Sequence, residues 1–194
     1  MKLTKEQASL NRRQIIATAA QSFQERGVDA VCLNEIMKMA GFTHGGFYNH
    51  FASKDDLVAE AFAQAFAPAV KDAAEISKCD KDFTRAIEGY LSTEHRDDPA
   101  HGCPTASLLC DAVRQNKAAR KAYATGIESI IESFAGRMTG SKKEKRQAAI
   151  NILASMIGAV LLSRGVGDAD EKLSREILAA ARSKICIKKA AKKT

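Results

Sequence analysis

The run of residues 34–54 constrains this chain most, because it predicts two short helices joined by a tight turn. Gly41 stands at the turn, and glycine readily adopts the left-handed conformation that ends a helix. Thr43 follows, and its hydroxyl can cap a second helix by accepting a hydrogen bond from a free backbone N–H. Before the turn, apolar residues repeat with helical spacing at Leu33, Ile36, Met37 and Ala40. This plan is typical of a helix-turn-helix, whose second helix lies in the DNA major groove.

The predicted second helix has an inward and an outward side. Phe47 and Phe51 are four residues apart and are expected to face the interior. Gly45 and Gly46 each weaken a helix by roughly 1 kcal/mol relative to alanine. They also allow the backbone to approach another surface closely. Ser53 is placed to cap the next helix. The side chains expected to face outward are those of His44, Tyr48 and Asn49.

Residues 15–57 resemble the N-terminal domain of tetracycline-repressor-type (TetR/AcrR-like) transcriptional regulators. The resemblance rests on residues 15–20, 23, 27, 35–36, 40–43, 46–51 and 53–57, about a quarter of the chain. It implies a homodimer that binds DNA through Thr43, His44, Gly45, Gly46, Tyr48, Asn49, His50 and Lys54. In that comparison Tyr48 and Lys54 bind phosphates, whereas Asn49 and His50 can pair with base edges or phosphates.

One departure from the family pattern lies just before the second helix of the domain. The family usually has serine or threonine there, whereas this chain has Val31 and Cys32. We therefore expect a weaker helix cap and the loss of one phosphate contact. Other interpretations of the motif stay open at this point: His50 and Tyr48 can serve as core residues, and the three-helix unit can serve as a protein-binding module.

Composition narrows the class of protein. The chain has 194 residues, and its most apolar segment, 148–162, is interrupted by Asn151 and Ser155. We interpret that segment as a buried helix, because a membrane span needs about 20 apolar residues. The N-terminus lacks the apolar core of a signal peptide. Five scattered cysteines, an odd number, favour a reduced cytoplasmic protein over a disulfide scaffold.

The net charge of +7 is concentrated at the two ends of the chain. Residues 1–54 hold seven Lys/Arg and four Asp/Glu, and residues 182–194 hold six Lys/Arg and no acidic residue. An N-terminal arm is expected to attract phosphates through Lys2, Lys5, Arg12 and Arg13. Residues 188–194 are predicted to form a disordered basic tail. Its charges either are solvated at the end of the last helix or form a second DNA contact.

Beyond Lys54 the pattern is helical throughout, so the prediction is an all-α fold of about nine helices. The predicted domains are a three-helix DNA-binding domain at 1–54, an effector-binding and dimerisation domain at 55–187, and the tail. Pro68 is expected to kink the fourth helix, and residues 92–103 to form a loop. Pro104 is expected to begin a sixth helix with its core side at Leu108, Leu109 and Val113.

Two further signals mark the C-terminal helices. Ser141 and Glu144 have the spacing of a capping box, while Gly165 and Gly167 are expected to break the chain. The two helices on either side of that break are apolar over much of their surface. Either they complete the core of a monomer, or a monomer would leave part of this apolar surface exposed. In the second case, pairing of two chains would bury the exposed apolar surface. The predicted dimer interface is Ile152, Met156, Ala159, Val160, Leu173, Ile177, Leu178 and Ala181.

The middle helices are the expected place for a small-molecule effector, as the resemblance implies. The candidate pocket residues are Phe62, Phe66, Phe83, Tyr90, Cys110, Tyr123, Ile127, Phe134 and Met156. Ordinary core packing explains each of these residues individually better. Nothing in the sequence predicts a cofactor, and a metal site from His95, His101 and Cys103 matches no standard zinc spacing.

Cysteines and the remaining motifs supply the alternatives. Cys103 and Cys110 are seven residues apart and would share one helix face, which supports a thiol-based redox or electrophile sensor. Buried structural cysteines are the simpler explanation. The chain has no phosphate-binding glycine loop after a strand and no hydrolase motif, so we do not expect an enzyme. The remaining functional alternative is a helical adaptor that binds other proteins.

The combined prediction is a ligand-responsive DNA-binding transcriptional regulator. We expect a repressor that a small-molecule effector releases from a palindromic operator on double-stranded DNA.

Overall fold

The computed structural model describes residues 4–190, with side chains through Ile185, and in this range ten α-helices, two 3-10 helices and no strand occur. The all-α prediction is confirmed. The α-helices are α1 (Lys5–Arg26), α2 (Leu33–Met39), α3 (Lys54–Ile76), α4 (Asp80–Tyr90), α5 (Thr93–Asp97), α6 (Pro104–Ser107), α7 (Leu109–Ala112), α8 (Lys117–Ala135), α9 (Lys142–Val166) and α10 (Glu171–Ala190). The 3-10 helices are His44–Asn49 and Gly167–Asp170.

Both ends of the chain extend past this range. Lys2 of the predicted arm and residues 191–194 of the predicted tail lie outside the described residues. The backbone of residues 188–190 continues α10, so helical structure extends three residues into the segment predicted to be disordered.

The described residues form two compact units that do not follow the predicted boundary after Lys54. The first unit contains residues up to 69 together with 103–126, and the second contains 70–102 and the residues from 127 onward. Helix α3 begins at Lys54 and runs without interruption through Pro68, which lies inside it. Because α6 and α7 pack with the N-terminal helices, the first unit combines residues that are distant in sequence.

The start of α9 follows its sequence signal. Ser141 Oγ accepts a hydrogen bond from the Glu144 N–H, and the Glu144 carboxylate accepts one from the Ser141 N–H at 2.8 Å. The predicted capping box is therefore confirmed. At the other end, α9 includes Gly165 and ends before Gly167, whose φ of +54° lies in the left-handed region. The break was thus predicted correctly at Gly167 and wrongly at Gly165.

This cap gives a simple test of local stability. Ser141→Ala should lower the free energy of unfolding by about 1 kcal/mol, because the Glu144 N–H loses its acceptor and the Glu144 carboxylate loses the Ser141 hydroxyl donor. Thermal unfolding followed by circular dichroism measures the loss. Lys142→Ala, one residue further along, is the matched control and should change stability by less than about 0.5 kcal/mol. Equal stability of the two variants would contradict the role of the cap.

Residues 92–103, predicted to be a loop, contain the short helix α5. Ser92 Oγ caps it by accepting a hydrogen bond from the His95 N–H at 3.2 Å. Arg96 is buried, and its guanidinium donates to Ser174 Oγ at 2.7 Å and to Glu171 at 3.2 Å. Tertiary contacts therefore stabilise a helix that the Asp-Asp-Pro sequence after Arg96 does not indicate.

The segment after Pro104 also differs from its prediction. Pro104 begins α6 as expected, but this helix ends at Ser107, and α7 begins only after Leu108. Leu108 is fully buried, whereas Val113 is 69% exposed, so Val113 was wrongly assigned to the core side. Cys103 precedes α6 and Cys110 lies within α7. The prediction that these cysteines share one helix face is therefore wrong.

Helices α9 and α10 form a hairpin in the second unit. Ser163 and Ser174 are buried and hydrogen-bond to each other across it, with their hydroxyl oxygens 2.7 Å apart. By length and composition, one stretch, Lys142–Ile185, is apolar enough to cross a membrane, yet the turn at Gly167–Asp170 divides it into these two helices. Ile150, Leu162 and Leu173 are each at least 40% exposed, so this hairpin exposes apolar surface.

Candidate nucleic-acid interface

The turn between α2 and the following 3-10 helix has the predicted geometry. Gly41 has a φ of +83°, in the left-handed region that favours glycine. The Phe42 N–H donates to the Met37 carbonyl at 2.8 Å, which closes the end of α2. The chain therefore turns within a few residues between α2 and the segment 43–50.

Two phenylalanines anchor this segment, as predicted. Phe47 is fully buried and Phe51 is 4% exposed, and their rings stack with centroids 5.2 Å apart. Tyr48 packs edge-on against Phe47, yet it is 65% exposed. The residues of the segment that face solvent are Thr43, His44, Gly45, Tyr48 and Asn49. The helix-turn-helix therefore presents polar groups on one side of an apolar anchor.

The second helix of the motif is a 3-10 helix, His44–Asn49, and within the described structure the Thr43 side chain makes no capping hydrogen bond. The predicted Thr43 cap is therefore wrong. The two glycines lower the α-helix propensity of this short segment. A Cβ atom added at Gly45 would meet no described heavy atom within 4 Å, so the surface there is open.

Arg12 holds the end of this segment in place. Its guanidinium forms a two-point ion pair with Glu60 and donates to the His50 carbonyl at 3.3 Å. It also lies 4.6 Å from the centre of the Phe51 ring. The hydrogen bonds with Glu60 raise the pKa of Arg12 above its ordinary value. Arg12 therefore holds the helix-turn-helix from within the chain, and its attraction of phosphates stays a prediction.

Lys54 is also engaged within the chain. Its ammonium donates to the carbonyls of Val28, at 3.0 Å, and Val31, at 2.8 Å. These carbonyls belong to the loop before α2, where Cys32 stands at the cap position without a side-chain hydrogen bond in the described structure. The expected weak cap is confirmed. Ser53 Oγ accepts from the Asp56 N–H at 3.1 Å, so the predicted cap of α3 is confirmed as well.

The candidate pocket residues fall into both units. In the first unit, Phe62 and Phe66 are buried, and Phe66 packs edge-on against Tyr123 with centroids 5.3 Å apart. The Tyr123 hydroxyl donates to the Thr105 carbonyl at 2.7 Å, and burial raises the pKa of Tyr123. Cys110 is exposed at the surface.

In the second unit, Phe83 packs edge-on against Phe134 with centroids 5.0 Å apart. Tyr90 lies over the ring of His95, whose pKa is lowered chiefly by burial and further by Arg164. Met156 is buried and Ile127 is half-buried. An effector pocket among these residues stays a prediction.

The structure places the predicted dimer residues on two sides of the α9–α10 hairpin. Leu173 is 43% exposed, and Ile152, Ile177 and Ala181 are half-buried. The other four are buried within a single chain: Met156, Ala159, Val160 and Leu178. Leu162 is 63% exposed and was not selected from the sequence. Its spacing of four residues from Gly158, which is itself four residues from Ala154, was the available signal.

Sequence reasoning also missed Asp111 in α7. This carboxylate is buried, and its Oδ1 accepts a hydrogen bond from the Val28 N–H at 3.0 Å. No local pattern relates two residues 83 positions apart, so only the folded structure reveals the contact.

A sequence model described as bacterial regulatory proteins, tetR family, matches residues 15–61. The chain is 42% identical over 57 residues to the HTH-type transcriptional regulator AcrR of Shigella flexneri, covering 29% of this chain and 26% of that protein. It is 40% identical over 68 residues to the HTH-type transcriptional repressor BepR of Brucella suis, covering 35% and 32%. The matches thus span about a quarter to a third of these relatives.

Solved structures resemble the whole chain. A TetR transcriptional regulator from Legionella pneumophila superposes with a TM-score of 0.74 at 18% identity, covering 97% of this chain and 99% of that chain. The reduced form of E. coli NemR gives a TM-score of 0.72 at 19% identity, covering 89% and 95%. At these identities the likeness shows the fold alone.

Proposed function

We propose that this chain is a ligand-responsive transcriptional repressor, because residues 15–61 match the tetR family of bacterial regulatory proteins. It acts in the cytoplasm as a homodimer and binds a palindromic operator in double-stranded DNA. A small-molecule effector in the C-terminal helices releases it from the operator. The chain has no catalytic role in this proposal.

One observation carries the proposal: two buried phenylalanines anchor residues 43–50, whose polar side chains face solvent. Phe47 and Phe51 fix the segment, so its exposed side chains are presented in a defined arrangement. His44 and Asn49 are suited to base edges, and the exposed Tyr48 hydroxyl to a phosphate. Gly45 and Gly46 let the backbone approach the groove, with Thr43, His50 and Lys54 at the borders of the contact.

The homodimer is supported by the exposed apolar face of the α9–α10 hairpin. Ala154, Gly158 and Leu162 follow one another at four-residue intervals along α9, and Leu173, Ile177 and Ala181 do the same along α10. A Cβ atom at Gly158 would meet no described heavy atom within 4 Å, so a second helix can approach closely there. Pairing of two hairpins covers this surface and brings two helix-turn-helix motifs to one operator.

Selection of duplexes from a random pool tests the proposal directly. The purified chain should enrich a palindromic sequence, and its affinity should fall by about 10³-fold or more between 50 mM and 200 mM salt. Failure to enrich any duplex at low salt would contradict the proposed function. Native mass spectrometry of the same sample would identify a copurified effector.

His44→Ala and Tyr48→Phe should each weaken binding to the selected duplex. Loss of a hydrogen bond to a phosphate or a base corresponds to about 1.5–3 kcal/mol, or roughly a 10- to 100-fold rise in Kd. His101→Ala, which replaces another exposed histidine, is the matched control and should bind like the wild type. Fluorescence anisotropy measures all three. Unchanged binding by both test variants would show that the assigned segment does not contact DNA.

A further inference from the structure

The backbone N–H and carbonyl of Val28, in the loop between α1 and α2, both form hydrogen bonds with charged side chains. Its N–H donates to Asp111 Oδ1 at 3.0 Å, and its carbonyl accepts from the Lys54 ammonium at 3.0 Å. Asp111 lies in α7, and Lys54 is the first residue of α3. One loop residue therefore connects its own loop with α7 and α3 through hydrogen bonds that involve charged groups, which are the stronger kind.

The backbone of the neighbouring Gly27 leaves space for the Asp111 carboxylate. Gly27 has a φ of +81°, and a Cβ atom there would lie 3.3 Å from Asp111 Oδ2. Glycine is thus favoured at residue 27 for two reasons: its positive φ, and the Asp111 carboxylate, which a Cβ atom would crowd. Arg114 lies at the outer side, with Nη2 3.4 Å from Asp111 Oδ1 and Nε 3.5 Å from Asp29 Oδ2.

The position of this loop determines the position of α2. Cys32 provides no side-chain cap in the described structure, so the start of α2 depends on the loop before it. Lys54 binds the carbonyls of Val28 and Val31, and Asp111 binds the N–H of Val28. An apolar side chain of similar size at residue 111 would leave the buried Val28 N–H without its acceptor, so packing alone does not replace this hydrogen bond.

We propose that Asp111 is a positioning residue for DNA binding, which acts through the Val28 N–H to hold the helix-turn-helix in its DNA-binding geometry. This inference rests on the proposed function. It deepens that function by assigning control of operator affinity to a hydrogen bond from α7, in the part of the chain that follows the predicted DNA-binding domain. Displacement of α7 breaks this hydrogen bond and lowers operator affinity.

The test compares Asp111→Ala with Asp111→Asn in the full-length chain, using the duplex selected by the wild type. Asp111→Ala removes the acceptor and should raise Kd about tenfold and accelerate hydrogen exchange of the Val28 amide by a similar factor. Asp111→Asn keeps an oxygen acceptor and should recover most of the affinity and protection. Ser141→Ala, which weakens α9 in the other unit, is the control for a general loss of stability and should bind DNA like the wild type.

Each outcome is decisive. Wild-type affinity in Asp111→Ala, despite fast exchange at Val28, would overturn the proposal and leave Asp111 with a structural role only. Equal weakening by Asp111→Asn would overturn it too, because the acceptor would then not matter. If Asp111→Ala fails to fold, Arg114→Ala replaces it: a two- to threefold loss of affinity with faster Val28 exchange supports the proposal, and no change in either overturns it. Failure of the wild type to bind any duplex would instead refute the proposed function.

Discussion

Phe47→Ala should abolish operator binding, because it removes the anchor of the segment proposed to read DNA. Phe47 is fully buried, stacks on Phe51 and packs edge-on against Tyr48. Truncation of a buried phenylalanine to alanine costs about 3–5 kcal/mol through lost burial and the cavity that remains. A loss of this size is a large part of the stability of a typical domain. We therefore expect local unfolding of residues 43–51.

Two measurements separate this result from global unfolding. Hydrogen exchange should become fast around Phe47, while the α9–α10 hairpin in the second unit keeps its protection. Phe47→Leu is the matched control, because it preserves most of the apolar volume, and it should cost less than about 1.5 kcal/mol and retain operator binding. Full operator affinity in Phe47→Ala would show that the segment does not need this anchor to bind DNA.

Leu162→Glu should dissociate the proposed homodimer without unfolding the chain. Leu162 is 63% exposed, so a single chain accommodates glutamate there. In a two-fold dimer the substitution occurs twice, and burying each charge costs several kcal/mol. Operator affinity should fall by about 10²- to 10⁴-fold, which is the usual gain from joining two binding modules.

Sedimentation or native mass spectrometry reports the oligomeric state, and circular dichroism reports the fold. Val113→Glu is the matched control, since Val113 is an aliphatic residue with 69% exposure that lies outside the hairpin. It should leave the dimer intact. A Leu162→Glu chain that stays dimeric would place the pairing surface elsewhere.

The features that could be predicted from sequence are those set by short-range chemistry. Gly41 ends α2 because its backbone adopts a positive φ, and Ser141 with Glu144 begins α9 through reciprocal hydrogen bonds. Both signals lie within four residues of the structure that they determine. The inward-facing pair Phe47 and Phe51 was likewise evident from helical spacing.

The features that were missed depend on contacts between distant residues. Helix α5 is stabilised by the burial of Arg96 against the later helix α10, which a pattern of turn-forming residues does not reveal. Cys103 and Cys110 were predicted to share a helix, but Leu108 separates α6 from α7. Two cations expected at phosphates, Arg12 and Lys54, also bind partners inside the chain. Charge alone indicates a possible DNA contact but not which partner a cation takes.

Hydroxyl-radical footprinting of the selected duplex tests the central claim most directly, because it locates the protein on DNA without assuming which residues bind. The wild-type chain should protect two symmetric stretches whose centres are separated by about one helical turn, roughly 34 Å, as expected for two paired helix-turn-helix motifs. Tyr48→Phe should weaken both stretches together. A single protected stretch, or uniform cleavage along the duplex, would contradict the account of a dimer that reads a palindrome through residues 43–50.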